Sequence, residues 1–212
     1  MWNRTENQVK IVFIRHGATT SNEQHRYLGK MDESLSDAGR KTLRNKKEAG
    51  LYPAVDFLFG SPMKRCRETA EILYPGQQFR AIPDWEEMDF GVFEGRNYMD
   101  LKGDARYQEW IDSNGTLPFP EGETREEFLR RCRNGFDRVL ACVSTSDLLC
   151  QKKEPVVGLI VHGGTIMALL SSYGGGDYFD YRVNNGGGYH CLLAEEHEGK
   201  IRLEQIIGLA EA

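Results

Sequence analysis

Residues 9 to 22 read VKIVFIRHGATTSN. The first six, Val9 to Ile14, form a short apolar run rich in β-branched side chains, the pattern of a strand buried on both faces of a parallel sheet. Charge gathers where that run stops, as Arg15-His16-Gly17, followed by hydroxyls and the Asn22 amide. Far downstream Val156 to Val161, VVGLIV, repeats the pattern and also stops at a histidine and glycines, His162-Gly163-Gly164. Ligands of open α/β sheets bind beyond the carboxyl ends of the strands, so two neighbouring strands of this kind would aim both imidazoles into one crevice. The glycines allow a sharp turn and a close approach by a ligand.

Outward from these two runs, strands and helices alternate. LSDAGRKTLRNKKEAG, residues 35 to 50, predicts a surface helix with Ser36 as N-cap and Gly50 as its stop. Val55 to Phe59 predicts a strand, and SPMKRCRETAEILY predicts a helix with Ser61 as N-cap and Pro62 in its first position. Phe79 to Ile82 is a shorter strand. Thr124 and Glu127 make a capping box for a helix that buries Phe128, Cys132, Phe136, Val139, Leu140 and Val143, with Arg130, Arg131 and Arg133 read as its solvated face. The end of the chain reads as two strands around a turn at His197-Glu198-Gly199-Lys200. The expected class is α/β: a three-layer α/β/α sandwich with a mainly parallel, mixed sheet and a terminal antiparallel hairpin. Residues 1–212 are expected to form a single domain. A helical or loop insertion at about 88–130, where periodicity is lost, would cover the active site.

Arg65 adds a third strand end to the same picture. It falls in the first turns of a helix whose free N–H groups already favour an anion. Arg15, Arg65, His16, His162 and Asn22 therefore form a donor set suited to one doubly charged group, and phosphate fits best because the arginine fork meets its oxygens two at a time.

Composition sets the remaining bounds. The chain has 212 residues, 40% of them hydrophobic, with 27 Lys and Arg against 32 Asp and Glu for a formal charge of -5. That balance argues against nucleic acid or an anionic membrane as partner. Cys66, Cys132, Cys142, Cys150 and Cys191 form no CxxC pair, which fits reduced thiols and a cytoplasmic location. No stretch has a membrane helix's length of apolar residues, and the first ten residues hold no apolar signal core. No metal is expected, since two histidines lack a third ligand at a recognisable spacing and His25, His190 and His197 read as surface residues. No cofactor is expected either: Gly174 to Gly188 carries neither the P-loop lysine nor a dinucleotide fingerprint. An edge strand from the terminal hairpin would suit a homodimer.

Five ordered blocks, Arg15-His16-Gly17 with Asn22, YLGKMDESLSDAGR, SPMKRCRETA, EEMDFGVFEG and VHGG, resemble the histidine phosphatase superfamily, which contains the cofactor-dependent phosphoglycerate mutases and many phosphomonoesterases. The likeness is greatest to its bacterial α-ribazole phosphatase-like and broad-specificity branch. It implies that His16 attacks phosphorus, that Arg15, Arg65 and His162 hold the phosphoryl oxygens with Asn22 and the Gly163 backbone as further donors, and that Glu87 protonates the departing oxygen. The pattern E-x-x-[FY]-G selects Glu87 over Glu86. The chemistry supports these types: phosphoryl transfer needs fixed cations around three oxygens, a neutral imidazole as nucleophile and a carboxyl group held protonated. Met88 to Arg130 carries ten acids and five bases, a balance read against retention of a bisphosphate. The expected function is thus a metal-independent phosphomonoesterase acting on a small phosphorylated metabolite. The alternatives are a cofactor-dependent phosphoglycerate mutase and a catalytically silent binder of phosphoesters.

Overall fold

The computed structural model describes residues 8–147, 151–195 and 200–209. The elements follow in the order β1 (Lys10–Arg15), α1 (Thr20–Glu23), α2 (Asp37–Glu48), β2 (Phe57–Gly60), α3 (Lys64–Leu73) and β3 (Phe79–Ala81). Then come α4 (Ala105–Asp112), α5 (Arg125–Ser144), β4 (Val156–Val161), α6 (Gly163–Gly174), β5 (Gly188–Glu195) and β6 (Ile201–Gly208). One sheet takes all six strands in the order β3-β2-β4-β1-β5-β6. The first four are mutually parallel, and β5 and β6 join antiparallel beyond β1.

Alternation along the strands builds the two faces. Ile11 and Phe13 of β1 point into a core with Phe136 of α5 and Leu169 of α6, while Val12 and Ile14 point the other way to Leu43 of α2 and Ala70 and Leu73 of α3. Helices therefore cover both faces, which is why these strands read as unbroken apolar runs rather than alternating ones. The three-layer, mainly parallel architecture is as expected.

Several boundaries also agree. Ser36 Oγ accepts the Gly39 N–H at 2.9 Å, Gly50 ends α2 at φ +74°, and the Thr124–Glu127 capping box opens α5. The start of α3 differs. Met63 takes the N-cap position and makes no side-chain cap bond, so Ser61 and Pro62 stay outside the helix. Asp32, from a loop over thirty residues upstream, accepts the Lys64 N–H at 2.7 Å in the capping role expected of Ser61. Within the expected helical or loop insertion, α4 buries none of its residues fully, and only Tyr107 and Trp110 on one side pack against the core. The proposed His197–Lys200 turn falls largely, and Cys150 wholly, outside the described residues. Cys66, Cys132, Cys142 and Cys191 are free thiols. Among the described residues no helix is long and apolar enough to cross a membrane.

Candidate active site

The sheet order puts β2, β4 and β1 side by side, and the last residues of the three strands lie in register. Gly60 pairs with Ile160 and Val161 with Arg15, so Ser61, His162 and His16 follow at one edge. The imidazoles of His16 and His162 meet edge to face with centroids 5.1 Å apart. Arg65, the second residue of α3, is fully buried beside them, not exposed as a surface helix residue would be.

His16 is 2% exposed, and its Nδ1 lies 2.7 Å from the carbonyl oxygen of Gly17. A carbonyl only accepts, so Nδ1 carries the proton and Nε2 holds a lone pair. Burial, then the charges of Arg65 and Arg15, hold its pKa well below the usual imidazole range. The ring is therefore neutral at neutral pH. The Gly17 N–H is tied in turn to Thr69 Oγ1 at 3.1 Å, which locks the strand-to-helix turn to α3.

Arg65 is held by the loop before it. Its Nη1 and Nη2 donate to the carbonyls of Met31 and Gly29 at 2.8 and 2.9 Å, and Nε faces His162 Nδ1 at 3.4 Å. Glu94 Oε1 fixes that loop by accepting the N–H groups of Gly29 and Met31 at 2.8 and 2.9 Å. The motif YLGKMD and the glutamate of FGVFEG thus act together to aim one guanidinium, a role that no local sequence signal announces.

His162 differs from expectation. With Arg65 at Nδ1, its Nε2 donates to Ser61 Oγ at 2.7 Å, so both ring nitrogens are engaged within the protein. Direct donation to a phosphoryl oxygen requires Nε2–H to leave Ser61. Arg15 gives Nη1 to the Val183 carbonyl at 2.7 Å, whereas its buried Nε has no partner, an orphaned donor beside Gly163. Asn22 spends its Oδ1 on the Thr19 N–H and on Asn185 Nδ2, both at 3.2 Å. Asn185, which no sequence motif marks, also donates to the His16 carbonyl at 3.1 Å.

Glu87 is almost fully buried and packs so closely on Gly164 that an added Cβ there would stand 2.5 Å from its Oε1. Burial raises its pKa, against the Met88 N–H, Arg65, Arg15 and Arg131, which pull it down. Arg131 departs from the solvated reading: it donates to the carbonyls of Asp84, Glu86 and Glu87 and pairs with Glu123 at 2.7 Å.

Arg15, Glu87, Gly163 and Gly164 form one wall of a cavity of about 740 Å³ that continues among aromatic side chains. The acid-rich count of residues 88–130 does not carry over to this space. Asp89, Asp100, Asp104 and Glu123 are paired with Lys30, Arg26, Arg96 and Arg106, and Arg131. The charged groups on the cavity wall are Arg15, Arg125 and Arg182, with Glu87 as their carboxylate counterpart among the described residues.

A neutral imidazole nitrogen between two guanidinium groups, a buried carboxyl group and a crevice at the carboxyl edge of an α/β sheet have the chemistry to bind and transfer a phosphoryl group. The chain belongs to the histidine phosphatase superfamily, branch 1, whose sequence pattern matches residues 11–205. It is 30% identical to the uncharacterized phosphatase PhoE of Bacillus subtilis over 79% of this chain and 78% of that one. Among solved structures, TTHB049 from Thermus thermophilus is 27% identical with a TM-score of 0.64, covering 95% of this chain and 99% of that one. The α-ribazole phosphatase of Shigella flexneri shares the fold at a TM-score of 0.72 and 20% identity, covering 93% and 95%.

Proposed function

We propose that the protein is a metal-independent phosphomonoesterase that acts on a small phosphorylated metabolite through a phosphohistidine at His16. The observation that carries this reading is the His16 ring, neutral, with its proton held on Nδ1 by the Gly17 carbonyl, and flanked by the positive charges of Arg15 and Arg65. In the first step His16 Nε2 attacks phosphorus. The ester P–O bond breaks, its electron pair stays with the alcohol oxygen, and the Glu87 carboxyl group delivers the proton that makes the alcohol. In the second step the Glu87 carboxylate takes a proton from water as that water attacks phosphorus, the P–N bond breaks, and inorganic phosphate leaves. Arg15, with its orphaned Nε, and Arg65 meet the charge that spreads over the equatorial oxygens. His162 keeps Arg65 aligned, Asn22 and the Gly163 N–H supply further donors, and residues 88–130 form the cover.

The test is phosphate release from a panel of phosphomonoesters with a chelator present. His16→Ala is expected to lose at least about a thousandfold in kcat, because a missing nucleophile removes the two-step route. Glu87→Gln should lose about 10² to 10⁴ on alkyl esters, the span of general acid catalysis, and less on p-nitrophenyl phosphate, whose leaving group needs little help. Loss of turnover on chelation, an unimpaired His16→Ala enzyme, or faster interconversion of 2- and 3-phosphoglycerate than hydrolysis would overturn the reading.

A further inference from the structure

The cavity beyond the phosphoryl site is far larger than a three-carbon ester needs. At about 740 Å³ it would hold some 25 waters at roughly 30 Å³ each, and it lies within the ordinary range of drug-sized ligand sites. Its wall includes Tyr27, Phe90, Trp110, Phe119, Tyr178 and Phe179. Water against such rings gains free energy by leaving, so an apolar alcohol portion that displaces it contributes to binding. Phe179, a large apolar side chain in this wall, is 43% exposed, as befits a surface completed by a ligand.

Two cations line this apolar space. The Arg125 guanidinium lies 5.2 Å from the ring centroids of both Tyr178 and Phe179, and that of Arg182 lies 4.6 Å from Phe179. Arg125 also donates Nη2 to the Gly115 carbonyl at 2.8 Å, which fixes its plane. A guanidinium stacked on a ring keeps its N–H groups in its own plane, where a carboxylate or phosphate can accept two of them. Among the described residues no carboxylate pairs with either arginine, although four acids of the covering segment are paired elsewhere.

We infer that the preferred substrates are phosphate esters of a bulky, planar apolar alcohol that bears a second anionic group, held by Arg125 and Arg182. The inference rests on the phosphomonoesterase reading and adds to it the chemistry of the leaving group. The shared chemistry of the second group is its negative charge, and carboxylate and phosphate forms are compared side by side.

The experiment compares kcat/KM for 1-naphthyl phosphate, for the same ester carrying a ring carboxylate or a second phosphate, and for glycerol 2-phosphate. Wild type is expected to favour the anionic naphthyl esters tenfold or more over plain naphthyl phosphate, and plain naphthyl phosphate over glycerol 2-phosphate. In Arg125→Met/Arg182→Met the anionic preference should fall to about one. Arg182 is exposed, so Arg182→Met alone should fold and lower the ratio at least threefold, which covers a double variant that does not fold. A wild-type ratio of one or less, or a ratio unchanged in the variants, overturns the inference. Calorimetric binding of naphthylmethylphosphonate with and without the carboxylate repeats the comparison without turnover. Absence of hydrolysis in every ester would refute the phosphatase reading, while the binding ratio would still decide the role of the two arginines.

Discussion

Arg131 shows how much one side chain can carry. Its neighbours Arg130 and Arg133 are exposed, whereas its own fork reaches the carbonyls of Asp84, Glu86 and Glu87 at 2.9, 2.5 and 3.0 Å and leans 4.6 Å over the Phe128 ring. The backbone that presents Glu87 is thus pinned to α5. Arg131→Met is expected to cost about ten- to a hundredfold in kcat on alkyl esters, since small misplacement of an acid is enough to lose such factors. On p-nitrophenyl phosphate the loss should be smaller, and Arg131→Lys should recover little, because the three donors of one ammonium cannot replace the guanidinium's five contacts to three carbonyls and both Glu123 oxygens. Steady-state kinetics on both esters decide it: equal losses on the two would mean that Arg131 supports only the fold. The sequence hides this residue because the carbonyls it holds lie more than forty positions away and interspersed charge on a helix ordinarily marks solvent.

At the scale of the element, the junction of β4 with α6 does the placing. An added Cβ at Gly164 would stand 2.5 Å from Glu87 Oε1 and 3.0 Å from the Phe128 ring, whereas at Gly163 the nearest atom is Arg15 Nε at 3.4 Å. Gly164→Ala should therefore displace the carboxyl group and lower activity at least about tenfold. Its thermal midpoint need not drop as far, because alanine gains roughly 0.5–1 kcal/mol over glycine in a helix. Gly163→Ala should keep most of the activity; an equal fall in both variants would refute this account of the second glycine. The two strand ends were legible because an apolar run that stops at histidine and glycine is a local pattern, and the pairing of β1 with β4 made it a site. The start of α3 was not legible. The Lys64 N–H is capped by Asp32 across space, while Ser61, locally the better candidate, stays outside the helix, where its Oγ accepts from the Met63 N–H and from His162. For the same reason the charge of the cavity could not be read from the acid count of its covering segment: pairing partners come from elsewhere in the fold.

For the whole molecule, burying two imidazoles between two arginines makes stability depend on pH in a definite direction. His16 and His162 both have folded-state pKa values well below the ordinary 6.5, through burial first and then the charge of Arg65. Below about pH 6.5 the unfolded chain takes up protons that the folded chain refuses, so stability is full above that value and is lost as pH falls. Each such proton contributes up to about 1.4 kcal/mol per pH unit, or roughly 3 for the pair. Glu87 works in the opposite sense. Its raised folded-state pKa stabilises the protein below the ordinary carboxyl value and that contribution is lost as pH rises through the folded value. Thermal unfolding between pH 5 and 8 should accordingly show a midpoint that declines below about 6.5. The decline should be shallower in His16→Asn, which removes one refused proton, and steeper in Glu87→Gln, which removes the opposing group. A His16→Asn profile parallel to wild type would mean that this imidazole titrates normally in the folded protein, and with it would go the neutral nucleophile at low pH on which the proposed chemistry depends.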